Sequence, residues 1–377
     1  MSENIAPARH PVSAFLRHYS PALVAFAASR ILVLAIIFLS SHVIRSSDLE
    51  PPRAMITVLT HWDGAWYMSV AQQGYNYIPG QQSNMAFFPF YPLLVWLADQ
   101  IVPDIRMAAV LVSHVLFLVA ALLFQRLVEL DYNRRIVRAS LYFLMFTPVS
   151  FYFSSAYSES TFLCLAVGCL LAARLRYWLI AGLCGMLLTA TRNIGFFIAV
   201  PLFMEYVRQM WRPEIGIRSL IHWRVLLLGL VPLGLIAFMA YCYGRYDDPF
   251  AYVHASAAWG RKLASPIHAI ATIGTAPLFY ALFFGGALVI PVVLWIAGFW
   301  LKVRLEYLVF TGMLLLIYVS ANNAEGMPRF VVVLFPLFIV LGVLSVRFEK
   351  LYEPLLAASI AAFTLGTILT ANGYWIT

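Results

Sequence analysis

From Pro21 to Ser41 the chain carries a single charge, Arg30, and a run that long and apolar can cross the hydrocarbon core of a bilayer as one helix. Further runs of the same kind follow along the whole sequence. Inside hydrocarbon every backbone group must be satisfied within the segment, so a chain built from such runs folds as an all-α, polytopic transmembrane helix bundle. Composition points the same way: 62% hydrophobic and 11% charged residues leave too little polar surface to cover a soluble globule of 377 residues. The runs predict about eleven crossings, near 21–42, 104–130, 137–155, 157–175, 177–191, 193–209, 223–243, 276–300, 305–321, 329–346 and 354–373.

The net charge of +8 would suggest nucleic acid in a soluble protein. Here the basic residues fall in short clusters between spans, where the positive-inside rule places them, so orientation accounts for the excess and no nucleic-acid partner is expected. The clusters are Arg134, Arg135 and Arg138; Arg174 and Arg176; Arg208, Arg212, Arg218 and Arg224; Lys302 and Arg304; Arg347 and Lys350. All share a side with the N-terminus, whose Arg9 and Arg17 precede the first span like the flank of an uncleaved, cytoplasmic signal anchor. The C-terminal Tyr374–Thr377 is then expected outside. Cys164, Cys169, Cys184 and Cys242 lie in apolar runs without C-x-x-C spacing, which indicates neither a disulfide framework nor a zinc site.

Two extracytoplasmic segments are long, 43–103 and 244–275, and no fixed-period repeat or separate soluble domain is visible, so residues 1–377 read as one membrane domain. In the first, Asp63 and Gly64 precede a short interfacial helix in which Trp66, Tyr67 and Val70 share a face and Gly74 suits the C-terminal cap. Phe87-Phe88-Pro89-Phe90-Tyr91-Pro92 follows, and its two prolines predict a re-entrant or surface-lying segment rather than a regular helix.

Asp63 is the leading candidate for a catalytic base. A carboxylate among Trp62, Trp66 and Tyr67 at a membrane surface is partly desolvated, which raises its basicity; the plainer role of an aspartate before a helix is an N-cap. His61 can approach the same cavity or simply anchor the chain at the interface beside Trp62. Glu159, in Tyr157-Ser158-Glu159-Ser160, opens a span from its outer end, where the helix dipole favours an acid and where an acid also faces cavities and partners.

Arg192, Arg245, Arg261, Lys262 and Arg329 break the inside bias, mapping to the outer half. Arg192 and Arg329 can form ion pairs with Glu159, Glu325, Asp247 or Asp248, or can serve a phosphate, for which guanidinium geometry is well suited. Arg30, midway along the first span, can snorkel, pair internally or meet a lipid head group. No Walker loop, dinucleotide-binding glycine pattern, H-E-x-x-H or G-x-S-x-G is present. The cytoplasmic connections are too short to hold a nucleotide-sugar site, so a donor for an outer site arrives already in the membrane.

Several motifs recur in order: His61-Trp62-Asp63 with Trp66-Tyr67 and Gly74-Tyr75; Ala86-Phe87-Phe88-Pro89 with Tyr91-Pro92; Thr147-Pro148; and Ala156-Tyr157-Ser158-Glu159. Thr191-Arg192 with Gly195, Trp259 with Arg261, and Arg329-Phe330 leading to Phe335-Pro336 complete the set. In this order they resemble the PIG-V type mannosyltransferases of the GT-C superfamily, as a bacterial-like member in a cell membrane. This chain has His61 where the family often shows arginine. The resemblance implies a GT-C helix bundle, a polyprenyl-phosphate-sugar donor, a lipid or glycan acceptor, and inversion at the anomeric carbon, with Asp63 as the base.

On that reading Arg192, Arg261 and Arg329 stabilise the departing phosphate, while Tyr157 and Glu159 position sugar hydroxyls or orient an arginine, and His61, Trp62 and Trp259 complete the binding surface. The scheme calls for no metal or other cofactor, and the sequence is silent on a divalent ion. Three rivals stand beside it: a lipid-linked flippase or transporter, transfer of another sugar such as arabinose to a cell-wall polymer or protein, and a catalytically silent assembly subunit. The flippase would show paired halves and charges near mid-membrane, whereas the polar residues here gather at one face.

Overall fold

The computed structural model describes residues 11–44, 51–260, 265, 277–321 and 326–374. Arg261, Lys262, Glu325 and residues 375–377 lie outside them. The described chain is helical nearly throughout, and it contains no β-strand among the described residues. In chain order the helices are α1 (Pro11–Leu39), α2 (Pro51–Thr60), α3 (Asp63–Gln73), α4 (Phe90–Asp99), α5 (Ile105–Glu129), α6 (Arg134–Met145), α7 (Glu159–Arg174) and α8 (Trp178–Thr189). They continue with α9 (Ala199–Met210), α10 (Leu233–Tyr246), α11 (Ala251–Ala258), α12 (Leu278–Trp300), α13 (Leu305–Val319), α14 (Met327–Val331), α15 (Pro336–Arg347) and α16 (Tyr352–Ala371).

Among the described residues four helical stretches are long and apolar enough to cross a membrane: Pro11–Ile44, Ile105–Glu129, Tyr280–Trp300 and Glu349–Ala371. A fifth arises if 223–230 and α10, bent by 43° across Pro232, count as one span. The other expected crossings fall on shorter or broken helices. The stretch predicted at 137–155 is α6, a break at Thr147-Pro148, and a single 3-10 turn at Ser150–Phe153; that at 329–346 is α14, a break, then α15. Hydropathy averages over such breaks, so a sliding window joins what the prolines divide.

Two local expectations are corrected. Asp63 is not an N-cap: α3 begins at Asp63 itself, and Trp62 before it makes no side-chain cap. The segment 87–92 is not irregular throughout, because α4 starts at Phe90 with Pro89 at its N-cap and Pro92 in its first turn. Proline is tolerated there, since the first amides of a helix lack intrahelical partners in any case. Gly74 does cap α3, with a positive φ of 76°. The four cysteines are free thiols.

α7 is the axis of the bundle, packed against α5, α8 and α9, while α1 lies against α5, α6 and α16. Close approach depends on small residues. A Cβ on Gly234 of α10 would overlap the Met186 carbonyl of α8 and stand 2.7 Å from Thr189 Oγ1. The basic clusters of the sequence collect at one end of this axis. There Arg174, closing α7, pairs with Asp131 at 2.7 Å, Arg304 reaches Glu205 at 2.6 Å, and Arg208 reaches Glu306 at 2.6 Å. Glu159, opening α7, stands at the other end. A helix of 16 residues separates the two by about 24 Å at 1.5 Å per residue.

Arg30 neither snorkels nor meets a carboxylate among the described residues. It is buried and donates to Ser150 O (2.9 Å), Ser150 Oγ (2.6 Å), Ser154 Oγ (2.8 Å), Met145 O (3.3 Å) and Ser29 Oγ (3.2 Å), with its guanidinium 4.9 Å from the Phe117 ring centre. It thereby pins the break after α6 to α1.

Two outcomes follow from this packing. Gly234→Ala must push α10 off the backbone of α8 and is expected to destabilise the protein by about 1–3 kcal/mol; an unchanged unfolding midpoint in detergent would show that the helices are less closely packed. Arg30→Met strands two serine hydroxyls and two carbonyls and is expected to cost about 2–4 kcal/mol, read in the same unfolding assay.

Candidate active site

The site grows from the junction between α2 and α3. Ala156 N donates to Leu59 O at 2.8 Å, Tyr157 Oη donates to His61 O at 3.1 Å, and Gly64 is small enough for the Ala156 methyl to lie against it. The segment before α7 is thus fastened along the segment before α3. Trp62 turns the chain with φ 53°, a left-handed conformation that is uncommon for a bulky residue and must be held by its surroundings. Asp63 then opens α3, buried to 6% exposure.

Four charges meet there. Arg329, from α14, donates through Nη1 to Asp63 Oδ2 and through Nε to Glu159 Oε1. Arg192, just past α8, donates through Nη2 to the same Glu159 oxygen at 2.5 Å and through Nε to Ser158 Oγ at 2.9 Å. Ser158 Oγ is also 2.7 Å from Tyr67 Oη, and Tyr67 sits one turn after Asp63 on α3. A polar chain therefore runs Asp63–Arg329–Glu159–Arg192–Ser158–Tyr67 and returns to the helix it started from. Below it the Tyr157 ring centre lies 4.4 Å from the Arg329 guanidinium carbon, a favourable cation–π distance.

Glu159 is fully buried, yet its Oε2 has no hydrogen-bond partner among the described residues. Two guanidinium groups balance two carboxylates, which is what makes their burial tolerable. Each guanidinium has five N–H donors, and Arg192 Nη1 and Arg329 Nη2 make no hydrogen bond among the described residues. Asp63, Arg192 and Arg329 line a cavity of about 280 Å³ together with Tyr67, Asn193, Tyr252 and Tyr318. Two apolar grooves flank it. One of about 530 Å³ is lined by α3, α4, α8 and α10, and its Pro89 and Ala190 are next in sequence to Phe88 and Thr191 of the cavity; the other, of about 450 Å³, is lined by α6, α12, α15 and α16, and its Pro328 precedes Arg329.

Of the residues expected at the site, Asp63, Glu159, Arg192 and Arg329 converge, and Tyr157 packs beneath them. Of the alternative partners, Glu325 lies outside the described residues, and Asp248 instead accepts from Tyr77 Oη at 3.3 Å and pairs with His254 at 2.7 Å. Burial works against its ionisation, but these contacts with the Phe250 amide hold its carboxyl below the usual carboxylate range. Arg245 is exposed near the end of α10. His61 contributes its carbonyl, while its ring is exposed and lies against Trp62 rather than lining the cavity.

Trp259 packs edge-on against Trp66 at 5.2 Å and against Phe87 at 6.1 Å, one layer behind the cavity wall, and its buried indole N–H has no partner among the described residues. Arg261 lies outside the described residues. The sequence places Tyr67 beside Asp63 and Ser158 before Glu159 but assigns neither a polar role at the site, although the spacing of Tyr67 four residues after Asp63 signals a shared helix face. Among the described residues no group of three His, Cys, Asp or Glu side chains is placed to hold a metal ion.

Comparison with known proteins adds a family to this geometry. The sequence profile described as Mannosyltransferase (PIG-V) matches residues 24–252. GPI mannosyltransferase 2 of Drosophila melanogaster is 31% identical over 117 residues, and that of Drosophila pseudoobscura pseudoobscura 30% over 116. Each alignment covers 28% of this chain and 25% of the relative, so the match spans about a quarter of the relatives' length. ArnT from Cupriavidus metallidurans, solved with undecaprenyl phosphate, superposes with a TM-score of 0.56 at 12% identity, over 93% of this chain and 75% of ArnT. The oligosaccharyltransferase of Archaeoglobus fulgidus gives 0.50 at 14% identity, over 95% of this chain and 55% of its own. At such identities the likeness is one of fold, a polytopic helix bundle of GT-C type. The profile covers more than half of the chain and takes in Asp63, Glu159 and Arg192, and on that ground the protein belongs to the PIG-V mannosyltransferase family.

Proposed function

We propose that the protein is an inverting mannosyltransferase that takes its sugar from a polyprenyl-phosphate carrier and passes it to a hydroxyl of a glycolipid at the extracytoplasmic face. The observation that carries this reading is the buried Asp63–Arg329–Glu159–Arg192 chain on the wall of a cavity flanked by apolar grooves. The undecaprenyl phosphate held by ArnT supports a carrier of this class. Orientation follows from charge. The ion-paired basic clusters at the far end of α7 mark the cytoplasmic side by the positive-inside rule, which turns the cavity outward.

The donor's phosphate meets the remaining N–H groups of Arg192 and Arg329, and its isoprenoid tail enters the groove lined by α3, α4, α8 and α10, which is next in sequence to the cavity lining at two chain segments rather than one. Asp63 removes the acceptor hydroxyl proton as that oxygen bonds to the anomeric carbon. The bond from that carbon to the phosphate oxygen breaks on the opposite face, inverting the centre. The leaving phosphodiester becomes a monoester with one further negative charge, and Arg192 and Arg329 stand where that charge develops.

Phosphate binding also draws Arg329 away from Asp63. A carboxylate held by a guanidinium is a weak base, so donor binding is what readies Asp63. Glu159, tied to both arginines, keeps them in place through the cycle.

Purified protein supplied with labelled polyprenyl-phosphate mannose and an acceptor lipid extract is expected to yield a labelled glycolipid, with glucose and arabinose donors markedly poorer; no transfer from any donor would sink the assignment. Asp63→Asn is expected to fold normally and lose about 10²–10⁴-fold in turnover, and near wild-type turnover would remove Asp63 from the mechanism. Arg329→Lys keeps a charge but cannot span Asp63 and Glu159 at once; its kcat/KM is expected to fall about 10²-fold, measured with saturating acceptor.

A further inference from the structure

At the opposite end of the bundle from Asp63, the start of α6 meets the end of α15 and the start of α16. Arg135, Arg138, Ser345, Glu349 and Tyr352 line a cavity of about 350 Å³ there. Arg134, Arg347, Lys350 and Glu353 are exposed on the adjoining turns, and Glu349 is the acid in its lining. Its only ion pair among the described residues, Arg135 with Glu349 at 3.3 Å, joins side chains 79% and 76% exposed, and such a pair holds a group weakly. Arg138 meets the Tyr142 ring at 5.6 Å and Arg347 the Trp300 ring at 4.3 Å, neither with a carboxylate partner among the described residues. Two arginines and one acid line the cavity, and three further cations stand exposed on the adjoining turns.

Deeper on the same helices the surroundings change. About one turn beyond Arg138, Ser345 and Tyr352, the side chains Phe143, Leu341, Leu355 and Ala358 line the apolar groove of about 450 Å³ that continues along α12. Exposed Trp300, Phe348 and Leu351 beside the cavity mark the level where head groups give way to hydrocarbon. A cationic cup thus stands directly over an apolar groove.

We propose that this pair of features holds an anionic phospholipid, with its phosphate between Arg135 and Arg138 and one acyl chain along the groove between α6, α15 and α16. Free phosphate satisfies the cup and leaves the groove empty. A zwitterionic lipid fills the groove but offers the cations no net charge. Basic residues at a membrane surface each favour anionic lipid, and a groove beneath them adds a requirement for chain length. The cup lies at the far end of the groove from Arg329, and binding there is read without the transfer reaction.

The test uses full-length protein in neutral detergent, titrated with dioleoyl-phosphatidylglycerol, dioleoyl-phosphatidylcholine, short-chain dihexanoyl-phosphatidylglycerol or inorganic phosphate, and followed by unfolding midpoint and native mass spectrometry. Wild type is expected to retain phosphatidylglycerol and gain midpoint with it, and with none of the other three. Arg135→Gln/Arg138→Gln is expected to weaken that binding about 25-fold with an unchanged midpoint in detergent alone, and Arg135→Lys/Arg138→Lys to keep most of it. Ala358→Phe, which narrows the groove from an exposed position, is expected to weaken dioleoyl binding while the cup stays intact. Equal response to phosphatidylcholine, equal response to inorganic phosphate, or full binding by the Gln double variant would each overturn the proposal.

Discussion

Arg329 is the contact on which the rest of the site depends. Its guanidinium joins Asp63, which is 266 residues away in sequence, to Glu159, which is 170 away. All three are almost wholly buried, and an ion removed from water without a partner costs several kcal/mol. The fold must therefore bring the α2–α3 junction, the segment before α7, and α14 to one point, or bury a charge alone. Arg192 closes the same account from α8, because a single guanidinium cannot balance two carboxylates. The contacts that position Asp63 are for this reason electrostatic first and apolar second, which is unusual in a chain that is otherwise 62% hydrophobic.

α7 transmits that arrangement through the bundle. Its first residue is Glu159 and its last is Arg174, an acid at the positive end of the helix dipole and a base at the negative end. Each terminal charge is fixed by partners from other parts of the chain, Arg192 and Arg329 at one end, Asp131 at the other. A helix clamped at both ends fixes the site's distance from the basic end of the bundle. Arg30 supports the strap leading into it, holding Met145, Ser150 and Ser154 by hydrogen bonds to neutral groups.

The legible part of this structure was the part carried by charge. Asp63, Glu159, Arg192 and Arg329 stand out because ionised groups beside apolar runs need one another, and that need survives any error in counting helices. The partners of Arg30 were not legible, since serine hydroxyls and a methionine carbonyl leave no charge signal. Helix number was obscured for a related reason: the breaks at Thr147-Pro148 and before Pro336 are short and apolar, so hydropathy passes over them. The N-cap that an aspartate before a helix offers as its plainer role is not used, because an Asp63 oxygen is paired with Arg329, and a long-range buried ion pair outweighs a cap worth about 1 kcal/mol. Trp259 was placed by motif at the site and lies one layer behind it, an aromatic wall whose depth spacing alone does not fix.

Charge balance also explains why an acid and an arginine should share a contact that catalysis must break. Before the proposed transfer, two carboxylates, two guanidinium groups and one phosphodiester sum to one negative charge. Afterwards Asp63 carries the acceptor's proton and is neutral, while the leaving phosphate is doubly negative, and the sum is again one. The buried site never gains charge; a negative charge only moves from Asp63 to the phosphate. Arg329 turns from Asp63 to the phosphate as the donor binds, and Glu159, held on its Nε throughout, supplies the pivot. An arginine that leaves the base as the donor arrives both frees Asp63 and meets the oxygen where charge will develop, and this makes the Asp63–Arg329 contact part of the proposed reaction rather than an obstacle to it.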